Sequence, residues 1–222
     1  LEPMPIGGMY PSHMEDRLLL DWTQVPERLV KILLAVEDQG FFDHYGISLK
    51  SISRAFFANI KAANIEQGGS TITQQLSKNL FFSFERNWVR KIKELLIAFQ
   101  LEATFSKDKI LETYCNQIYF GNGAYGIEEA SQTYFRKSAR DLSVLQGALL
   151  AGLPNSPNHA NPFKNYKRAM TRAEYVLQRM VNENLISLDE KNNFLFDGVA
   201  KTPIISKILD SDDYLGVLLL HF

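Results

Sequence analysis

The chain has 222 residues, 45% of them hydrophobic and 22% charged, the balance of an ordinary globular protein and not of a disordered or fibrous one. Its 24 Lys and Arg against 25 Asp and Glu leave a formal charge of −1, which excludes the global attraction a basic domain has for nucleic acid. No run reaches the ~18 to 20 uncharged apolar residues of a membrane span, Cys115 alone forms no internal disulfide, and Leu1 in place of an initiator Met leads us to expect a piece of a longer chain.

The opening, Leu1 to Asp21, with Pro3, Pro5, Gly7, Gly8 and Pro11, reads as irregular. After Pro26, the spacing of Leu29, Ile32, Leu33 and Val36 predicts a core-facing helix that delivers Glu37 and Asp38 at its C-terminal end. Ser48 reads as the N-cap of a second helix burying Leu49, Ile52, Phe56 and Ile60, before a glycine-bearing loop at Asn64 to Gly69. Ile72, Leu76 and Leu80, then Ile92, Leu95, Leu96, Phe99 and Ala103, fall at helical spacing and predict two helices flanking the aromatic segment Phe81 to Trp88. Further helices are expected from Ser106 through Ile118, from Ile127 through Phe135 and from Ser143 to about Gly152. A loop from Pro154 to Pro162 follows, then a long helix over Arg168 to Val181 and a last one opened by the capping box of Ser187 and Glu190. Strand signals are scarce and no repeat or low-complexity tract appears, so the predicted class is mainly α, one domain with two lobes.

Several segments carry chemistry-bearing residues. AVEDQGFFDHYGIS sets Glu37 and Asp38 near Phe41 and His44 at a helix end. A general base needs a pKa above the ~4.3 of a free glutamate, and burial against an aromatic or a second carboxylate supplies the shift; Asp38 and Phe41 are placed to do both. The same pair also reads as solvated residues at a helix terminus. A metal site built from Asp38, Asp43 and His44 is weaker, because no His-x-x-x-His pair exists. In QGGSTITQQLSKN, Gly68 and Gly69 free the backbone, Ser70 and Thr71 open a helix, and Gln75, Lys78 and Asn79 share a side. That is a helix start suited to an anion or a sugar, or an ordinary capped loop. Arg90 and Lys91 share a helical face with Glu94. Their excess positive charge suits a diphosphate, and the bland alternative is a surface salt-bridge set. Phe81, Phe82, Phe84 and Trp88, interleaved with Arg86, either pack in the core or dip into a lipid interface. Gly121, Gly123 and Gly126 bring backbone close to a ligand or turn a helix corner.

In this order, EDQGFFDHYG, GGSTITQQLSKN, RKIKE and ILETYCNQIYFGNGAYGI resemble the first four motifs of the peptidoglycan glycosyltransferases, glycosyltransferase family 51, found in class A penicillin-binding proteins and monofunctional transglycosylases. LLAGLPNSPNHANP is a looser fifth motif, with Ala160 where the family commonly carries an aromatic before Asn-Pro, and Arg172 follows in the next helix. The resemblance runs from about Leu29 to Met180. It implies a lysozyme-like large lobe and a smaller membrane-facing lobe. It also implies a lead-in segment at 1–26, a glycosyltransferase domain at 27–205 and a C-terminal segment at 206–222 that begins a junction to a further domain.

By the same resemblance, Glu37 and Glu94 are the catalytic carboxylates. Glu37 takes the proton from the C4 hydroxyl of the acceptor, lipid II, as that oxygen attacks C1 of the growing chain. Undecaprenyl diphosphate leaves and the linkage inverts to β. Glu94 lies toward the donor, where with Arg90, Lys91 and Lys78 it positions the diphosphate. Implied substrate contacts also include Asp38, Phe41, His44, Ser70, Thr71, Gln75, Asn79, Asn116, Tyr119 and Gly121. No cofactor is obligatory, with Mg or Mn as an optional aid. The implied partners are lipid II, the growing glycan strand and the cytoplasmic membrane surface, with no nucleic acid. The implied location is the outer face of that membrane, with an anchoring helix outside this chain and a transpeptidase domain in the full-length protein. No transpeptidase site lies in this sequence, since Ser106 and Lys109 match S-x-x-K without S-D-N or K-T-G companions, and Ser106 reads as a helix cap. Two rivals are a lysozyme-like muramidase or lytic transglycosylase and an inactive lipid II-binding module. Lys78, Arg90 and Lys91 weigh against glycan cleavage, and the presence of both Glu37 and Glu94 weighs against the inactive module.

Overall fold

The computed structural model describes residues 18–53, 69–82 and 88–201. In chain order its helices are α1 (Glu27–Glu37), α2 (Ile72–Phe81), α3 (Trp88–Thr104), α4 (Lys107–Gln117), α5 (Ile127–Phe135), α6 (Val144–Ala151), α7 (Tyr166–Asn182) and α8 (Leu188–Lys201), with a further helical stretch at 49–53. Among the described residues there is no strand, only an isolated antiparallel bridge between Tyr119 and Tyr125. The mainly α class expected from the sequence is the class observed. The expected irregular lead-in up to residue 17, Phe56 and Ile60, the loop at 64–68, Phe84 and Arg86, and the segment 206–222 lie outside the described residues.

Helix starts follow their cap chemistry. Ser48 Oγ accepts the Ser51 N–H at 3.1 Å, and Ser106 Oγ accepts the Lys109 N–H at 3.2 Å. Reciprocal capping boxes open α6 at Ser143 with Gln146 and α8 at Ser187 with Glu190. Each box satisfies backbone donors that the first turn leaves without helical partners.

The buried core draws on two helical layers, one built on α1 and the other on α2. Leu29, Ile32 and Leu33 of α1 are buried with Leu145 and Leu149 of α6 and Ala173, Val176 and Leu177 of α7. Gly147 makes that crossing close, since a Cβ there would stand 2.7 Å from Leu29 Cδ2. In the other layer α2 packs on α3 and α4, burying Ile72, Leu76, Ile110, Leu111 and Tyr114. Each such side chain contributes on the order of 1.5–3 kcal/mol of hydrophobic stabilisation.

One face predicted as buried is exposed instead, and the apolar stripe of α3 is exposed as well. Leu49 is 76% and Ile52 44% accessible, and on α3 Ile92, Leu96 and Phe99 are 59%, 64% and 46% accessible. Ala103 and Leu80 are also exposed, and Leu95 is half-buried. What α3 buries is Glu94 and Ala98. The physical reason is that a 3.6-residue period marks an apolar stripe but not the medium that covers it. Trp88, Val89, Ile92, Leu96 and Phe99 fall within an arc of about 100° of the helix, on the side away from Glu94 and Ala98. Phe81 and Trp88, from the aromatic segment, are likewise exposed.

Candidate active site

The site starts where α1 ends. Asp38 leaves the helix with φ −158° and ψ 75°, and its buried carboxylate turns away from Glu37. It accepts the N–H of Ile72, the first residue of α2, at 2.9 Å and lies 3.0 Å from His44 Nε2 through each oxygen. An acceptor with negative charge is favoured at a helix N-terminus, so Asp38 clamps the end of α1 to the start of α2. Thr71 completes the clamp: its Oγ1 accepts the Gln74 N–H at 3.2 Å and donates to the Gly46 carbonyl at 2.7 Å.

The clamp sets Glu37 against α2. Gln75 Nε2 donates to Glu37 Oε2 at 2.8 Å, and the Tyr114 hydroxyl donates to Gln75 Oε1 at 3.2 Å. Glu37 Oε1 is buried without a hydrogen-bond partner among the described residues. Burial is the main effect on Glu37 and raises its pKa, outweighing the Gln75 hydrogen bond and the charges of Arg172 and Lys78, while Asp38 adds a smaller upward push. Phe41, expected to supply that environment, is fully buried in the core, with Lys107 Nζ 4.3 Å over its ring.

The cleft that holds Glu37 also has a cationic wall. Lys78, Lys91, Arg172 and Arg179 line it together with Glu94, Ser70, Gln74, Pro154, Asn155 and Tyr175. Buried Glu94 is paired with Arg90 Nε and Lys91 Nζ, both at 3.0 Å, and Lys91 also donates to Ser70 Oγ at 3.1 Å. Glu94 therefore holds two cations in place. Lys78 is exposed overall, yet partial desolvation of its ammonium lowers its pKa, with Glu94 opposing and Arg90 and Lys91 adding to the effect. The Arg172 guanidinium lies 4.6 Å over the Tyr175 ring and donates to the Gly152 carbonyl at 3.4 Å. Arg179 ties the wall to α1 by donating to the Ala35 carbonyl at 3.2 Å. Among the described residues no three His, Cys, Asp or Glu side chains converge, and Glu94 is already paired. The donor set thus does not fit a divalent cation bound by protein ligands alone.

Of the residues singled out in the sequence, Glu37, Glu94, Ser70, Gln75, Lys78 and Lys91 meet at this cleft, and Arg90 reaches it through Glu94. Asp38, His44, Phe41 and Thr71 belong to the frame behind it. Asn116 also builds the frame, exchanging hydrogen bonds of 2.9 and 2.8 Å with the backbone of Leu20. Tyr119 stacks with Tyr125 at 4.8 Å, Asn79 is exposed on α2, and Gly121 turns a corner at φ +85°. A Cβ at Gly121 would lie 2.4 Å from the Pro157 carbonyl oxygen, so backbone, not ligand, occupies the space its glycine leaves. None of these lines the cleft. Sequence reasoning did not assign Arg172, Tyr175, Arg179 or Asn155 to the site. The signal was present for three of them, since 172, 175 and 179 recur at i, i+3 and i+7 along α7, on the face beside its apolar stripe.

A helical domain in which a carboxylate of raised pKa shares a cleft with several cations has the parts for acid–base chemistry on a substrate that carries an anionic group. The family model described as transglycosylase matches residues 5–181. Penicillin-binding protein 1A of Aquifex aeolicus is 47% identical over 177 residues, covering 80% of this chain and 24% of that protein. Penicillin-binding protein 1A of Neisseria flavescens is 42% identical over 209 residues, covering 94% of this chain and 26% of the relative. The crystal structure of penicillin-binding protein 1A from Haemophilus influenzae aligns with a TM-score of 0.49 at 27% identity, covering 81% of this chain and 17% of that one. The chain belongs to the transglycosylase family, the peptidoglycan glycosyltransferases its motifs resemble, and it spans about a quarter of the length of the curated relatives it matches.

Proposed function

We propose that this domain polymerises lipid II into β-1,4-linked glycan strands at the outer face of the cytoplasmic membrane, releasing undecaprenyl diphosphate with inversion at the reacting carbon. One arrangement supports the reading: a buried carboxylate with a raised pKa, Glu37, shares a cleft with Lys78, Lys91 and Arg172. Glu37 Oε1 takes the proton of the acceptor C4 hydroxyl as that oxygen bonds to C1 of the donor. The bond from C1 to the diphosphate oxygen breaks, its electron pair leaves with the diphosphate, and the three cations offset the growing charge. A diphosphate departs without being protonated, so no second acid is required, which agrees with Glu94 being held by Arg90 and Lys91. Cleavage of a glycan would need a free acid for the departing sugar hydroxyl.

The membrane part of the proposal draws on α3. Among the described residues no helix is long and apolar enough to cross a membrane. The exposed row Trp88, Val89, Ile92, Leu96 and Phe99 fits a helix lying in the lipid interface, which would bring Lys91 and Glu94, on the same helix, toward a lipid-linked substrate. An anchoring helix and a transpeptidase domain belong to the same proposal for the full-length protein. The test mixes labelled lipid II with the protein in detergent. Polymer from wild type and none from Glu37→Gln is the expected result; cleavage of glycan strands without polymer overturns the reading.

A further inference from the structure

We infer that Tyr114 is a positioning residue for this reaction: its hydroxyl fixes the carboxamide of Gln75 so that the amide N–H holds Oε2 of Glu37 and leaves Oε1 to accept the proton. The inference rests on the reading of Glu37 as the base. α4 contributes no side chain to the cleft lining, and through this chain of two hydrogen bonds it still acts on the reacting atom.

The two ends of a carboxamide have nearly the same shape, so packing alone does not choose which faces Glu37. With the oxygen turned toward Glu37, only the protonated acid could bond to it, and the ionised base would meet a lone pair. Tyr114 supplies the asymmetry. It is fully buried, its hydroxyl donates to Gln75 Oε1 at 3.2 Å, and the amide donates to Glu37 Oε2 at 2.8 Å. Burial, with the charge of Glu37 adding to it, raises the phenol pKa well above its ordinary value, so Tyr114 stays a neutral donor throughout the working range. Glu37 is thus held at one oxygen, while Oε1, buried and without a partner among the described residues, is the atom left for the substrate hydroxyl. Fixing a base in this way cuts the reorganisation that must precede proton transfer.

The experiment compares wild type with Tyr114→Phe, Gln75→Leu and the double variant, each checked for folding by its thermal melt. Polymerisation is measured against pH. The Gln75 side-chain N–H pair, identified by its absence in Gln75→Leu, is followed by nitrogen–proton NMR. We expect one Gln75 proton to titrate with Glu37 in wild type and that titration to be lost or moved upward in Tyr114→Phe. We also expect kcat to fall roughly tenfold with KM for lipid II little changed, the acid limb of kcat to move to higher pH, and no further loss when Tyr114→Phe is added to Gln75→Leu. An unchanged titration and acid limb in Tyr114→Phe overturns the inference, and so does an equal loss from Tyr114→Phe in both backgrounds, which would mark a purely structural role. Should Tyr114→Phe not fold, Gln75→Met carries the test: it keeps the length, removes both bonds, and an unmoved acid limb overturns the inference. Activity that survives Glu37→Gln, where wild type shows the Gln75 titration, rejects Glu37 as the base and so removes the role assigned to Tyr114, even though the hydrogen bonds stand.

Discussion

Asp38 accepts the backbone N–H of Ile72 at 2.9 Å across 34 positions of sequence, so the residue beside Glu37 fixes the helix that faces Glu37. Its carboxylate is buried and also meets His44. Asp38→Ala would leave the first N–H of α2 and the His44 ring without their acceptor. Each buried polar group left without its partner costs about 1–3 kcal/mol, which together lowers the melting temperature by roughly 10 °C for a domain of this size. Asp38→Asn keeps an acceptor for Ile72 and should lose less than half as much. Calorimetry on the two variants checks the ordering; equal melting temperatures for Asp38→Ala and wild type would show that the clamp does not hold the fold.

Glu37 and Asp38 also show how far the sequence can be read. Both stood out as acids at a helix end, and the end of α1 was legible from its apolar spacing. Their separation was not: adjacent helical residues diverge by about 100°, and Asp38 leaves the helix altogether because its partner is a backbone group on α2. On α3 the stripe of Ile92, Leu96 and Phe99 was found by its period, yet a period cannot say whether protein or another apolar medium covers it. The Lys91–Glu94 pair was readable because i, i+3 neighbours meet on any helix. The spacing of Arg172, Tyr175 and Arg179 marks one polar face of α7, but which cleft that face lines is set by the packing of α7 on α1, a long-range contact the spacing does not reveal.

The raised pKa of Glu37 makes a stability prediction of definite sign. The unfolded chain releases this proton near the ordinary glutamate value, and the folded chain holds it to higher pH. Over that interval the folded state binds more protons, so stability falls as pH rises from the ordinary value through the folded one. Above it the full cost of a buried charge is present. Glu37→Gln should therefore stabilise the domain at neutral pH by about 1 kcal/mol, roughly 2–4 °C, with the gain vanishing as the pH drops below the ordinary glutamate value. Melting curves across that range check it, and a variant destabilised equally at every pH would contradict the assignment.

Lys78 and Arg172 predict a dependence on substrate charge. If these side chains serve the leaving diphosphate, Lys78→Ala or Arg172→Ala should weaken binding of a diphosphate-bearing lipid substrate about tenfold. A glycan without diphosphate should be little affected. Titration calorimetry at two salt concentrations separates the cases further, since a lost cation flattens the salt dependence of the charged ligand alone. Equal losses for both ligands would mean that the wall shapes the cleft without recognising charge. Arg172 is the sharper test, because its guanidinium also rests on Tyr175, and Arg172→Lys should recover little of that stacked, planar contact.

The exposed row on α3 predicts where the domain meets lipid. Ile92 and Leu96 sit one turn apart, 59% and 64% accessible, and neither lies in the core formed by α1, α6 and α7. Replacing both with glutamate should leave the melting temperature within about 2 °C of wild type, because surface changes of this kind fall near ±0.5 kcal/mol. Burial in lipid is worth about 25 cal/mol per Å² of apolar surface, so losing two such side chains should reduce association with phosphatidylglycerol vesicles by more than tenfold in a flotation assay. Polymerisation of lipid II presented in vesicles should drop with it, while polymerisation in detergent should hold. A double variant that floats like wild type would remove α3 from the membrane contact. One that loses stability instead would show that the row packs against protein.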